Sequence, residues 1–312
     1  MGEENKTEVK EFILVGLTEN QQLWVPLFIL FTFVYVITIL GNSAIVTLII
    51  KSPLLHTPMY FLLSNLSFVD LCYSSVITPK MLENFLSIRK SISFNACVAQ
   101  LYLFAVFATS ECFLVTAMAY DRFVAICHPL LYTTMMSNDV VLALVAGAYT
   151  GGLLPSVAHA LCVFLFPFCK SNKVNHFYCD IPPLLKLSCN TSYISKAIVF
   201  GLAISLGLAS LSVILTSYVY IISAVMKISS TEGRDKAFST CTSHLTVVLL
   251  FYCTVFFMYM RPGSGSSEDL DKLFSVFYTV VSPMLNPMIY SLRNTDVKVA
   301  LRKVITSCIH RF

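Results

Sequence analysis

Charge is scarce in this chain: Asp, Glu, Lys and Arg make up 12% of its 312 residues, about half the share of an ordinary soluble domain. That excludes a globule solvated on all sides, and a hydrophobic content of 56% points to a protein whose solvent is lipid. Basic clusters are missing too, and a net charge of only +4 offers no concentrated face for nucleic acid. Neither H-E-x-x-H nor G-x-S-x-G occurs, so the chemistries that need them have no foothold and the chain reads as a non-enzyme. Internal repeats and low-complexity segments are lacking, so residues 1–312 are expected to form one domain. Residues 1–23 lack the basic start and short apolar core of a cleavable signal, which leaves targeting to the first apolar run.

What the chain has instead is long apolar runs. Seven are each long enough to cross a bilayer core, which takes about 20 residues of helix. They fall at roughly 24–50, 58–79, 98–121, 140–166, 197–226, 237–260 and 272–292. No water is present in lipid to pair backbone N–H and C=O groups, so each run must be helical. The fold class is therefore an all-α membrane protein, a seven-transmembrane helix bundle. Pro155, Pro283 and Pro287 lie within runs and predict kinks. The tail DVKVALRKVITSCIHRF sets Val297, Val299, Leu301, Val304 and Ile305 among basic residues, the pattern of a short amphipathic helix on the membrane surface. Cys308 within it is a candidate for palmitoylation.

Seven spans put the two termini on opposite sides. Lys and Arg divide almost evenly between those sides, but the segments on the tail side are shorter and denser in charge. On the other side lie two glycan acceptors, Asn5 and Asn190. Cys97, Cys169, Cys179 and Cys189 gather there as well, as an oxidising compartment requires of disulfides. Segment 1–23 is accordingly placed outside the cell and 293–312 in the cytoplasm.

Only two acids lie in span interiors, Asp70 and Glu111. Counted up from Pro58 and Asp121 at 1.5 Å per residue, both sit about 15–18 Å from the inner face, in one layer. Two such carboxylates cannot both ionise unaided, so they either share a proton or hold a cation between them. Asn42 and Asn286 reach a similar depth, and Ser67 or Ser110 could add a hydroxyl. Oxygen donors suit a hard cation, and sodium is the one favoured; the alternative is a hydrogen-bonded layer with Glu111 protonated. No other cofactor is called for. His176 and Cys179 supply only two ligands toward any further metal site.

Taken in order, GN at 41–42, LHTPMYFLLSNLSFVDLCYSS at 55–75, MAYDRFVAICHPLLY at 118–132, SY at 217–218, KAFSTCTSHL at 236–245 and PMLNPMIYSLRN at 283–294 run nearly end to end. Through them the chain resembles the olfactory receptor family of rhodopsin-like G-protein-coupled receptors. Phe123, where tyrosine is common, and Cys253, where glycine is frequent, are small departures. The resemblance implies a plasma-membrane receptor for small volatile odorants that activates a stimulatory heterotrimeric G protein and raises cyclic AMP. It assigns activation to Asp121, Arg122, Tyr218, His244 and Tyr290, with Asp121 holding the Arg122 guanidinium until the sixth helix moves outward. It pairs Cys97 with Cys179 and Cys169 with Cys189, and it too points to sodium at Asp70.

A ligand site in such a bundle lies between helices and is mostly apolar. Phe104, Ala105, Ala108 and Thr109 share one face of the third helix, and Tyr252, Phe256 and Tyr259 form a stripe on the sixth. The fifth offers Leu202, Ala203 and Leu206, and the seventh Val276, Thr279 and Val280. No carboxylate near Phe104 is available for an ammonium ion, and no Lys midway along the seventh helix for a Schiff base. A neutral, largely apolar guest fits, held by one or two hydrogen bonds. Two alternatives stay open: a chemosensory receptor for a small metabolite outside olfaction, and an ion-coupled transporter, which would be expected to show the repeats this chain lacks.

Overall fold

A hydrocarbon solvent leaves the backbone only itself to pair with, and all seven apolar runs form helices. The computed structural model describes residues 9–168, 171–189, 193–227, 231–259, 268–293 and 295–309, with side chains left aside at 231–240, 257–259, 291–293, 304–309 and a few single positions. The helices are Trp24–Lys51 (α1), Pro58–Leu86 (α2), Phe94–Cys127 (α3), Asn138–Phe164 (α4), Tyr193–Val225 (α5) and Thr231–Tyr259 (α6). The seventh, α7, is continuous from Glu268 to Arg293 but includes a π-helical turn at Phe277–Val281.

Local chemistry sets the ends. Pro58 opens α2, where its missing N–H costs nothing. The Ser93 hydroxyl accepts from the Ala96 N–H at 3.3 Å and caps α3. At the other end of α3, His128 leaves helical geometry and Pro129 starts a 3-10 turn, Pro129–Leu131. The C-terminal helix Thr295–Ile309 (α8) forms as its amphipathic pattern predicts, with Val297 and Ala300 buried and Val299 and Leu301 exposed. The Tyr60 hydroxyl on α2 donates to Asp296 at 3.1 Å and ties α8 to the bundle. The side chain of Cys308 lies outside the described residues.

Helix α3 runs through the middle, packed against α2, α4, α5 and α6. Where α4 crosses it, a Cβ at Gly152 would collide with Ser110 Oγ and, at 2.6 Å, with the Val106 carbonyl oxygen. The two backbones meet there because Gly152 has no side chain. Ile29, Phe33 and Leu40 on α1 are exposed, as residues facing lipid are.

On the outer face the chain departs from all-helix. Strand Glu11–Leu14 (β1) lies between Ser91–Ser93 (β2), antiparallel with Phe12 opposite Ile92, and Lys173–Val174 (β3), parallel with Leu14 opposite Val174. Strands this short leave almost no periodic signal in a sequence. Phe12 and Leu14 are fully buried against Cys97, Leu101, Val163 and Val174, so this lid has its own core. Gly16, at φ 87°, turns the chain out of β1 in a conformation glycine adopts freely. A disulfide joins Cys97 to Cys179. Cys189 is also disulfide-bonded; Cys169, Asn5 and Asn190 lie outside the described residues.

Candidate ligand cavity and inner switch

A cavity of about 170 Å³ opens among α3, α4, α5 and α6 in the outer half of the bundle. From α3, Phe104, Ala105, Ala108 and Thr109 line it together, and Cys112 joins them one turn deeper. From α6 come Tyr252 and Phe256, with Phe251 and Val255 beside them; the Tyr259 side chain is not among those described. Ala203 and Leu206 line the α5 wall but Leu202 does not, and Val199, Gly207 and Leu211 extend that wall beyond the expected face.

On α7 the expected face is corrected. Val276, Thr279 and Val280 stay off the cavity and Tyr278 reaches it. The Thr279 hydroxyl instead donates to the Ser275 carbonyl at 2.7 Å. The cause is the π turn at Phe277–Val281, whose extra residue breaks the 3.6-residue spacing assumed along α7. Two further lining residues escape a stripe-based search, Ile181 from the outer loop and His159 from α4. A lone imidazole in an otherwise apolar run was the signal for the second.

Aromatic rings roof the cavity. Phe104 packs against Tyr178 of the loop at 5.1 Å, Tyr73 of α2 at 5.5 Å and Tyr278 of α7 at 5.6 Å. Gln100 secures the loop above them, accepting from the Cys179 N–H at 2.9 Å and donating to the Val76 carbonyl at 3.0 Å. The floor is polar. There the Tyr252 hydroxyl meets Cys112 Sγ at 3.2 Å and the Ser210 hydroxyl, which in turn meets Thr116. A guest resting on that floor touches α3, α5 and α6 at once.

Below, α6 is tied to α3 and α5 by His244, fully buried. One ring nitrogen lies 3.1 Å from the Val115 carbonyl of α3, which can only accept, so that nitrogen carries the proton. The other then accepts from the Tyr218 hydroxyl of α5 at 2.7 Å. Asp121 corrects a sequence-based expectation: no ion pair joins it to Arg122 among the described residues, and its carboxylate accepts from Tyr132 at 2.8 Å. Neighbours in a helix diverge by about 100°, so a side chain arriving from the loop reaches the carboxylate better than the adjacent one. Arg122 Nε and the Tyr290 hydroxyl are buried without partners, two polar groups that gain by rearrangement.

Between cavity and inner end lies the carboxyl layer. The Asn286 amide of α7 reaches Asp70 Oδ2 at 3.0 Å and Glu111 Oε1 at 3.4 Å, bringing both acids to one point. Asn42 stands apart, its amide donating to the Thr38 and Pro283 carbonyls at 3.0 and 2.9 Å. Asn42 Oδ1 and Ser110 Oγ are buried oxygens with no partner. The two carboxyl groups that one amide brings together are oxygen ligands of the kind a hard monovalent cation takes.

A family model described as "Olfactory receptor" matches residues 31–308. Olfactory receptor 5B21 of Mus musculus is 54% identical over 302 residues, covering 97% of this chain and 95% of its own length. Olfactory receptor 8U9 of Homo sapiens is 52% identical, covering 96% and 97%. A crystal structure of squid rhodopsin superimposes with a TM-score of 0.70 at 16% identity, covering 91% of this chain and 80% of its own, a likeness of fold alone.

Proposed function

The chain belongs to the olfactory receptor family, and from that premise we propose that it binds small volatile odorants and activates a stimulatory G protein to raise cyclic AMP. The cavity carries this proposal: an apolar, roofed space whose floor hydroxyls bridge α3, α5 and α6. At about 170 Å³ it is smaller than the roughly 300–1,000 Å³ of drug-sized sites, which suits a small guest. Pressure on Tyr252 tilts α6, strips His244 from Val115 and Tyr218, and frees Arg122 for the cytosolic partner. The disulfide-stapled lid supports an extracellular N-terminus, and a plasma-membrane address follows from the same proposal. Sodium held by Asp70 and Glu111, with Asn286 between them, would favour the closed packing.

The test is a cyclic AMP reporter cell with the stimulatory olfactory G protein, screened against a diverse volatile panel. Arg122→Ala is expected to abolish the response at unchanged surface expression. His244→Phe removes both tethers of α6, each worth about 0.5–1.5 kcal/mol, and is expected to raise basal cyclic AMP several-fold. Full signalling by Arg122→Ala, or ligand-evoked ion flux without a G protein, sinks the proposal.

A further inference from the structure

Of the polar groups lining the cavity, His159 stands apart. Tyr252 and Cys112 are bonded to each other, whereas neither nitrogen of His159 has a hydrogen-bond partner although the residue is only 5% exposed. The ring leans toward the Val199 backbone of α5, short of hydrogen-bond geometry. A carbonyl only accepts, so the nitrogen on that side is assigned the N–H and the other is left as a bare acceptor. A buried acceptor without a donor is costly, and the described residues offer it none.

We propose that His159 sets the chemical class of the guest: a molecule with an apolar body and one hydroxyl donor, an alcohol or a phenol. Hydrocarbons and ethers leave the imidazole acceptor unpaired, and a ketone or aldehyde sets a second acceptor against it. A carboxylate would enter a cavity with no Lys or Arg on its described lining. Sites that hydrogen-bond one group discriminate against analogues lacking it far more strongly than apolar pockets do. This inference rests on the cavity being the ligand site, as proposed above, and does not depend on the G protein.

The experiment measures thermal stabilisation of the purified receptor by linear, cyclic and aromatic alcohols, each paired with its methyl ether, alongside the cyclic AMP response to the same pairs. In the native receptor, alcohols are expected to act at concentrations about tenfold or more below their ethers. His159→Phe brings each pair to within about twofold, and His159→Gln, which keeps an acceptor, retains most of the preference. If His159→Phe does not fold, His159→Met gives the same reading. The inference is overturned if the preference survives removal of the imidazole, if Thr109→Val alone abolishes it, or if no alcohol stabilises the native receptor. Hydroxyl-selective stabilisation with a silent cyclic AMP assay would support it while sinking the signalling proposal.

Discussion

At Gly152 a single missing atom sets how near two helices come. A Cβ there meets the Val106 carbonyl oxygen, which is backbone and cannot step aside without moving α3. Gly147, little more than a turn away on the same helix, has nothing within 4 Å of an added Cβ. Gly152→Ala is therefore expected to cost about 1–3 kcal/mol through overpacking and to lower the melting temperature by several degrees. Gly147→Ala should be neutral or stabilising by up to about 1 kcal/mol, since alanine is the better helix former. Thermal denaturation of both variants in one detergent checks the contrast, and equal effects would show that packing at Gly152 is not what holds α3 and α4 together. The same scale explains Asp121: the motif MAYDRF announces a charged pair, but the partner that takes the carboxylate is Tyr132, eleven positions on, which no adjacency rule supplies.

Among the elements, the lid holds two buried groups that titrate in opposite senses. Burial pushes Asp180 up to about 6 from 3.8, against the pull of its bonds to the Ile181 N–H and the Tyr178 hydroxyl. Burial, helped by the charge of Lys272, pushes His176 down from 6.5 to about 3. Between pH 4 and 6 the folded lid keeps a proton on Asp180 that the unfolded chain has lost, so stability falls as pH rises. Between pH 3 and 6.5 the unfolded chain protonates its histidine while folded His176 stays neutral, so stability falls as pH drops. Each slope is about 1.4 kcal/mol per pH unit, and in the shared window they nearly cancel. Asp180→Asn should leave a lid that weakens on acidification from pH 6.5 to 4, and His176→Phe one that strengthens over pH 6 to 4. Hydrogen exchange of amides 171–189 against pH distinguishes the two, and parallel profiles would contradict the assignment. The lid was also the element least legible in the sequence. Helices declare themselves through runs of twenty apolar residues, whereas Phe12, Leu14, Ile92 and Val174 are a handful of apolar positions in three distant segments. They become one core only when folded. On α7 the failure is of another kind, since PMLNPMIY marks the helix but nothing in VFYTVV marks the π turn that trades Thr279 for Tyr278 in the cavity wall.

For the whole molecule, the proposed signalling requires a bundle this well packed to hold two arrangements. The outer cavity and the inner His244 clasp are separated by the carboxyl layer, where one amide, Asn286, binds acids from α2 and α3 to α7. Beyond packing, a layer in which one amide donates to two acids prefers the one geometry that satisfies them both. If sodium occupies it in the closed arrangement, the ion stabilises that arrangement by mass action and opposes the guest above. At a sodium concentration about ten times its dissociation constant the closed receptor gains about 1.4 kcal/mol. On replacing choline by sodium, the native receptor should then melt about two or more degrees higher and need more odorant for half-maximal cyclic AMP. Asp70→Asn removes the anion yet keeps an oxygen and the size of the side chain, so both sodium effects should vanish while the fold persists. Sodium effects that survive in Asp70→Asn would place the ion elsewhere. Native behaviour identical in choline and sodium would leave the layer to a shared proton, with Asn286 alone holding the two acids in register.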